Sequence, residues 1–361
     1  MTTIRYGIIG SGMMGQEHIR NIALVDGAVV SAVADPNTQM RESAAALAGP
    51  GCVTFDHHQP LLANDLCDAI VIAAPNHLHE PILHDVLPFD IPLLVEKPLG
   101  IDEAQCVRIM RAAERRKAPV WVGMEYRYMP PVARLLDEVA AGTAGTPRMM
   151  AIREHRFPFL NKIGNWNRFQ DQTGGTLIEK CCHFFDLMRV VFDAEAVRVY
   201  ASGGMDVNFV EEEFDGRKSD ILDNAFVIVD FDGGQRAMLD LCMFAEGAYW
   251  QESISVTGET ARIDAKVPGP SRFSSDGQER PSQLVISPRE SKAPVTEDIL
   301  IDEAILGAGD HHGSTYFQHQ RFVQMIREGG QPDVSIEDGA KAVVIGAAAE
   351  ESARTGQPVL L

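Results

Sequence analysis

The stretch Ile4 to Gly15, IRYGIIGSGMMG, decides how this chain is read. An apolar run of strand length turns directly into Gly10, Gly12 and Gly15, after which Met14, His18 and Ile22 recur at helical spacing. A buried parallel strand feeding G-x-G-x-x-G and then a helix gathers backbone N–H groups and the positive helix end around a dinucleotide pyrophosphate. Gly10 permits the tight turn, Gly12 lets the backbone approach phosphate, and Gly15 lets the helix lie close to the strand. A second apolar strand, AVVSAVA, ends at Asp35, 20 positions beyond Gly15, where a carboxylate accepts hydrogen bonds from ribose hydroxyls. Glycines also make plain turns, and Asp35-Pro36 resembles a helix start. The ordered succession of strand, triplet, helix, strand and acid favours the dinucleotide.

Outward from this unit the alternation continues. A helix is expected from Asn37 to Ala48, a short strand near Cys52 to Phe55, and a strand AIVIAAP from Ala69 to Pro75, apolar throughout as if covered on both faces. Its carboxyl end opens into Asn76, His77, Leu78 and His79, on the rim where open α/β sheets bind ligands. Taken singly, Asn76 could start a helix and either histidine could lie on the surface. PLLVEKPLG, Pro92 to Gly100, is a strand whose end carries Glu96, Lys97 and Pro98 to the same rim. A helix from Asp102 to Arg116 and a strand from Pro119 to Met124 follow, the strand running into Glu125, Tyr126, Arg127 and Tyr128. Residues 1–125 therefore read as an α/β Rossmann domain with a parallel sheet.

Beyond Gly145 the rhythm changes, and residues 126–361 read as an α+β domain with an open, mostly antiparallel sheet for substrate binding and oligomerisation. RMMAIREHR, EAVRVYASG, AFVIVDF, QRAMLDLCMF and ESISVTG are its strands, with Asp232-Gly233-Gly234 a hairpin turn. One helix is expected from Thr176 to Phe192, and Ser271 to Pro294, rich in Ser, Pro and charge, is expected as a loop or edge excursion. Helices around Ser314 to Glu328 and Ile336 to Arg354 close the chain and can pack back on the first domain.

Composition bounds the function. The 361 residues include 45% hydrophobic and 23% charged side chains, ordinary for a globular protein. A net charge of −19, from 32 basic and 51 acidic residues, argues against nucleic acid or an anionic membrane as partner. The six cysteines form neither a C-x-x-C pair nor a zinc spacing, and neither a signal peptide nor a bilayer-spanning run is evident. A cytoplasmic location with reduced thiols is expected.

Glu179 and His183, four apart on the expected helix, would share one face, and an imidazole beside a carboxylate suits proton transfer near neutral pH. With Lys97 they suffice to take a proton from a hydroxyl while a hydride leaves its carbon. The same spacing also describes an ordinary surface pair. A metal site built from Glu179, His183 and the His311-His312 pair is the sharper rival, but no tighter third ligand is evident and none is expected.

The segments GIIGSGMMG, APNHLHEP, VEKPLG, GGTLIEKCCHFFDLMR and DGAKAVVIGAAAEESARTGQPV together resemble the glucose-fructose oxidoreductase, inositol dehydrogenase and MocA family, over almost the full chain. That resemblance implies that Gly10, Gly12, Gly15 and Asp35 hold the dinucleotide, and that Asn76, His79, Glu96 and Lys97 line its nicotinamide half. Met13, Met14, Ala74 and Pro75 complete the expected cofactor set. It further implies that Lys97 and His183 are the substrate-binding and proton-transfer pair, and that the peptide before Pro98 is cis. Where many sugar and inositol dehydrogenases of the family carry Asp four residues before the catalytic His, this chain has Glu179, whose extra methylene displaces the charge by about a bond length. Tyr126, Arg127, Trp166, Arg168 and His312 are candidate substrate-binding residues by position. The implied activity is interconversion of a secondary hydroxyl and a ketone on a sugar, cyclitol or related polyol. Asp35 favours NAD over NADP by repelling a 2′-phosphate, although Arg41 is nearby. The family fold also hosts glycosidases that recycle tightly held NAD and sensors without chemistry. A homodimer or homotetramer is expected, because an uncovered apolar sheet face is otherwise a liability.

Overall fold

The computed structural model describes residues 3–273 and 276–361. The chain divides into two compact units, residues 1–125 with 162–166 and 303–343, and residues 126–161 with 167–302 and 344–361. The expected boundary at 125 is thus accompanied by two later segments that cluster with the first unit.

In the first unit, β1 (Ile4–Ile9), α1 (Met13–Ile22), β2 (Ala28–Ala34), α2 (Thr38–Ala48), β3 (Val53–Phe55), α3 (His58–Ala63), β4 (Ala69–Ile72), α4 (His79–Val86), β5 (Leu93–Val95), α5 (Glu103–Ala113) and β6 (Val120–Val122) alternate. Their strands pair parallel in the order β3-β2-β1-β4-β5-β6, the doubly wound arrangement whose switch point lies between β1 and β4. β4 and β5 are buried on both faces, which explains their unbroken apolar runs. Asn37 and Asp102 cap α2 and α5 by accepting the N–H groups of Met40 and Gln105.

The second unit comprises α6 (Pro130–Ala140), β7 (Pro147–His155), α7 (Gln170–Thr173), α8 (Thr176–Glu179), α9 (Cys182–Phe192), β8 (Ala196–Gly204), β9 (Glu213–Phe214), β10 (Arg217–Lys218), β11 (Asn224–Phe231), β12 (Arg236–Cys242), β13 (Trp250–Gly258), β14 (Ala261–Pro268), β15 (Ser282–Pro288), β16 (Val295–Ile299) and β17 (Val359–Leu360). Nine of these strands form one sheet, β16-β15-β14-β13-β7-β12-β11-β8-β17, antiparallel except for β7 beside β12. α10 (Glu303–Leu306), α11 (Ser314–Glu328) and α12 (Ile336–Thr355) complete the chain.

Two expectations are corrected. The segment from Ser271 to Pro294 contains β15, an interior strand paired with β14 and β16. Its short QLVI core buries Leu284, but Ser, Pro and charge on either side hide that periodicity. The helix expected from Thr176 to Phe192 is broken into α8 and α9. Cys181 sits at φ −87°, ψ −6°, and its carbonyl accepts the N–H groups of Phe184 and Phe185 to begin the second helix. Glu179 and His183 are therefore not an i, i+4 pair on one continuous helix.

One face of the nine-stranded sheet packs Val199, Val227, Val229, Leu239, Ile152 and Ile254 into a core with Phe184, Phe185, Leu187 and Met188 of α9. On the other face Tyr200, Ile228 and Met238 stand in register on three adjacent strands, each more than two-fifths exposed. Ion pairs Arg198–Asp230 and Arg153–Asp240 flank this apolar row.

Glu350 of α12 illustrates a carboxylate held against its preference. Its Oε1 accepts the Leu177 N–H at 2.7 Å, and burial pushes its carboxyl up to about 7. A raised carboxyl pKa in the folded state stabilises most below the unfolded value and loses that contribution as pH rises through 7. E350Q keeps an acceptor for Leu177 without the charge. It should therefore melt ~2 °C above the unsubstituted protein at pH 8, with the gap closing towards pH 5 in a calorimetric scan.

Candidate active site

The first unit builds a cradle at the switch point. Gly10 has φ +87°, and a Cβ there would lie 2.7 Å from the backbone of Ala73 and Ala74, beyond the end of β4. A Cβ on Gly15 would meet the Gly10 carbonyl oxygen at 2.1 Å, so the close approach that excludes a side chain is to the turn itself, while Ile8 of β1 is 3.7 Å away. Beside Gly12, at the N-cap of α1, an added Cβ would meet nothing within 4 Å. That open side, next to the first N–H groups of a ten-residue helix, fits a pyrophosphate. Met13 is exposed there and Met14 half-buried.

Asp35 follows β2 and braces the turn. Its Oδ2 accepts the Ser11 N–H at 2.7 Å and its Oδ1 accepts the Asn37 N–H at 2.8 Å, leaving further lone pairs for ribose hydroxyls. Arg41 donates to the Asp35 carbonyl at 2.6 Å.

Past β4, Ala74 and Pro75 are half-buried and Asn76 is buried at the start of a 3-10 turn, Asn76–Leu78. His79 is fully buried, with Nδ1 2.7 Å from the Pro98 carbonyl and Nε2 3.0 Å from the Ala74 carbonyl. It links the end of β4 to the turn after β5. The Lys97–Pro98 peptide is cis, and Lys97 is half-buried, its N–H donating to Glu96 Oε2 at 3.2 Å. Glu96 Oε1 meets His18 Nε2 at 2.9 Å, and His18 Nδ1 meets His319 Nε2 at 2.8 Å. Burial alone would raise the Glu96 carboxyl, but His18, Lys97 and His79 outweigh it and hold the group below its usual value. Burial, with His18 alongside, drives His319 well below the ordinary histidine range.

His311 takes ion-pair partners from within the first unit. It pairs with Glu17 at 2.8 Å and Glu125 at 3.6 Å, and the Thr315 hydroxyl lies between the two carboxylates, 3.1 Å from Glu17 Oε1 and 2.5 Å from Glu125 Oε2. Burial, then the neighbouring Glu96 and Glu17, push the Glu125 carboxyl up. His312 is buried at φ +48° in the turn before α11. Trp166 lies among the five residues that cluster with this unit, its ring 6.2 Å from that of His77, with the Lys162 ammonium over it.

The second unit carries the expected proton-transfer residues. Glu179 ends α8 and His183 opens α9, both buried. Tyr126 stacks on the His183 ring at 4.2 Å and 10°, and accepts a hydrogen bond from the Lys180 ammonium at 2.6 Å. Arg127 grips Asp186 through two hydrogen bonds of 2.6 Å, tying the chain before α6 to the helix that carries His183. Arg168, 2% exposed, is braced by Glu212, the Phe159 carbonyl and Asn161, and so organises its own loop. Lys180, Glu154, Glu252 and, in the first unit, His18 and His319 escaped the sequence reading. For the two glutamates a signal existed: each occupies an inward position in an alternating strand, Met150-Ile152-Glu154 and Glu252-Ile254-Val256.

Comparison with known proteins extends this picture. Residues 4–124 match the model of the oxidoreductase family's NAD-binding Rossmann fold, and residues 137–361 that of its C-terminal alpha/beta domain. The chain is 24% identical over 361 residues to myo-inositol 2-dehydrogenase of Thermotoga maritima, covering 99% of this chain and 98% of that one. It is 30% identical over 189 residues to the rhizopine catabolism protein MocA of Rhizobium meliloti, covering 52% of this chain and only 57% of MocA. In fold it is similar to levoglucosan dehydrogenase in complex with NADH and levoglucosan, with a TM-score of 0.83, 19% identity and 99% of each chain covered. The glycine turn braced by Asp35, the cis peptide after Glu96-Lys97 and the two matched domains place this chain in the GFO/IDH/MocA oxidoreductase family.

Proposed function

We propose that this protein is an NAD-linked dehydrogenase that interconverts a secondary hydroxyl and a ketone on a cyclitol, sugar or related polyol. The observation that carries the cofactor half is the Asp35 carboxylate lodged on the Ser11 N–H beside the open glycine turn. It favours ribose hydroxyls and repels a 2′-phosphate. The substrate class draws support from the relatives, one named for myo-inositol and one for rhizopine catabolism.

Bound NAD would supply the hydride acceptor. In this reading Asn76, Glu96 and Lys97 serve the nicotinamide half, with His79 bracing the backbone beneath them through its two carbonyl contacts. His183 accepts the hydroxyl proton on its imidazole, and Lys97 polarises the same oxygen and offsets the charge that develops there. Glu179 orients a substrate hydroxyl, with Trp166 and His312 as further substrate residues. Arg127 and Arg168 act through the elements they brace, in keeping with their bonds to Asp186 and Glu212.

No helix among the described residues is long and apolar enough to cross a membrane, and none of the six cysteines is in a disulfide; a cytoplasmic location is part of this reading. We assign the exposed row Tyr200, Ile228 and Met238 to contact with a second copy of this chain. An apolar stripe bordered by ion pairs of both signs can be matched by its own two-fold image.

The deciding experiment offers purified enzyme inositols, monosaccharides, deoxysugars and anhydrosugars with NAD, then NADP, and follows NADH absorbance. A rise with one class is expected. Copurifying NAD with bond cleavage and no net NADH would replace this reading with an internally recycled glycosidase, and bound NAD without chemistry would replace it with a sensor. K97A and H183A should each lower kcat by about 10²-fold or more while still binding NAD. Because Asp35 also holds the glycine turn, D35N is the informative cofactor variant: it keeps an acceptor for Ser11 and should narrow the preference for NAD over NADP by ~10-fold. By light scattering the protein should have a mass two or four times 39.5 kDa, and I228E combined with M238E should reduce it.

A further inference from the structure

Beneath His183 lies a set of charges that the proposed chemistry does not use. Glu154 of β7 and Glu252 of β13 are direct cross-strand partners, 0% and 1% exposed, on the face of the sheet turned towards α9. Two carboxylates side by side in a core repel one another. Lys180, from the break between α8 and α9, answers them: its ammonium pairs with Glu154 Oε1 at 2.8 Å and donates to Tyr126 Oη at 2.6 Å. Arg156 approaches Glu154 at 3.6 Å, Gln251 donates to Glu252 at 2.8 Å, and the Tyr126 hydroxyl reaches Glu252 at 3.4 Å. Burial, and then the charge of Glu154, push the Glu252 carboxyl up to about 7, so this carboxyl readily keeps its proton.

The Tyr126 phenol occupies the centre of this set. Its hydroxyl is held by Lys180, its ring makes a T-shaped contact with Phe184 with centroids 5.6 Å apart, and its face lies parallel to His183. A phenylalanine would fill the same space; the hydroxyl and the ammonium add a fixed direction. Buried ionic groups cost desolvation and are seldom the most stabilising way to fill a core, so their use here points to geometry.

We propose that Tyr126 and Lys180 are positioning residues for the His183 imidazole, the phenol serving as its shelf and the ammonium, anchored on Glu154 of the sheet, setting where that shelf lies. The catalytic consequence rests on His183 being the proton acceptor; the placement of the ring does not. Tyr126, a candidate substrate residue by sequence position, is thereby reassigned to the support of the base.

The placement is read by NMR of the protein carrying labelled histidine, with the His183 Cε1–H signal identified as the one lost in H183N. Stacking on the phenol should displace that signal upfield. Y126L, which removes the aromatic face, should abolish the displacement, and Y126F and K180M, which each remove the bond that fixes the ring, should both reduce it. Where K180M fails to fold, K180R keeps the charge but moves it, and the signal must move too. A His183 signal unchanged in Y126L, or in both Lys180 variants, overturns the proposal. In turnover of the polyol selected by the substrate panel, Y126L should lower kcat by ~10- to 100-fold with NAD affinity within about twofold of the parent, since a small misplacement of a reacting group has a cost of that order. In the H183N background Y126L should have no further effect, whereas a multiplicative loss there would show that Tyr126 does not act through His183. If H183N itself turns over near normally, the assignment of the base fails while the NMR result stands on its own.

Discussion

The approach of α1 to the turn that precedes it is the constraint from which the dinucleotide-binding half follows. With the Gly15 Cα against the Gly10 carbonyl, and Gly10 against the backbone beyond β4, the helix begins at the edge of the sheet and its first N–H groups remain open on the Gly12 side. The same placement brings Ser11 to Asp35, so that one carboxylate both closes the turn and is the proposed ribose contact. It also determines what lies one turn further along α1. Glu17 and His18 are buried; both take partners from the segment of residues 311–319, and His18 also meets Glu96 at the end of β5.

Buried charge is the recurring device in both units. In the first, His18 stands between Glu96 and His319, and Glu17 and Glu125 share His311 and Thr315. In the second, Lys180 answers Glu154, and Glu252 beside it is driven towards its neutral form. Each set surrounds a residue of the proposed mechanism: Glu96 precedes Lys97, and Tyr126 lies under His183. Isolated charges in such places would be prohibitive, and paired ones impose directional contacts that apolar packing cannot.

The alternation of strand and helix in the first 125 residues was legible because the central strands β4, β5 and β6 are covered on both faces and therefore read as unbroken apolar runs. The second sheet was less so. β15 went unseen because its four-residue core sits among Ser, Pro and charge, and the break at Cys181 left no mark because neither Gly nor Pro stands in TLIEKCCHFF and the residues on both sides are buried. Asp186 as the anchor of Arg127, and Glu212 as that of Arg168, come from partners 59 and 44 positions away, beyond any local pattern.

By itself the amino-acid sequence determined the Rossmann half, the acid after β2, the Lys97 that precedes a proline, and the helical histidine, since each depends on neighbours within one strand–turn–helix unit. Tertiary structure alone decided the company these residues keep. The pairing of Glu154 with Glu252 follows from strand register, and the capture of Lys180 from a helix break above that pair. The stacking of Tyr126 on His183 follows from the packing of the 3-10 turn Glu125–Tyr128 against α9. Sequence periodicity records which side of an element is buried, but the identity of what meets it there is a property of the closed core.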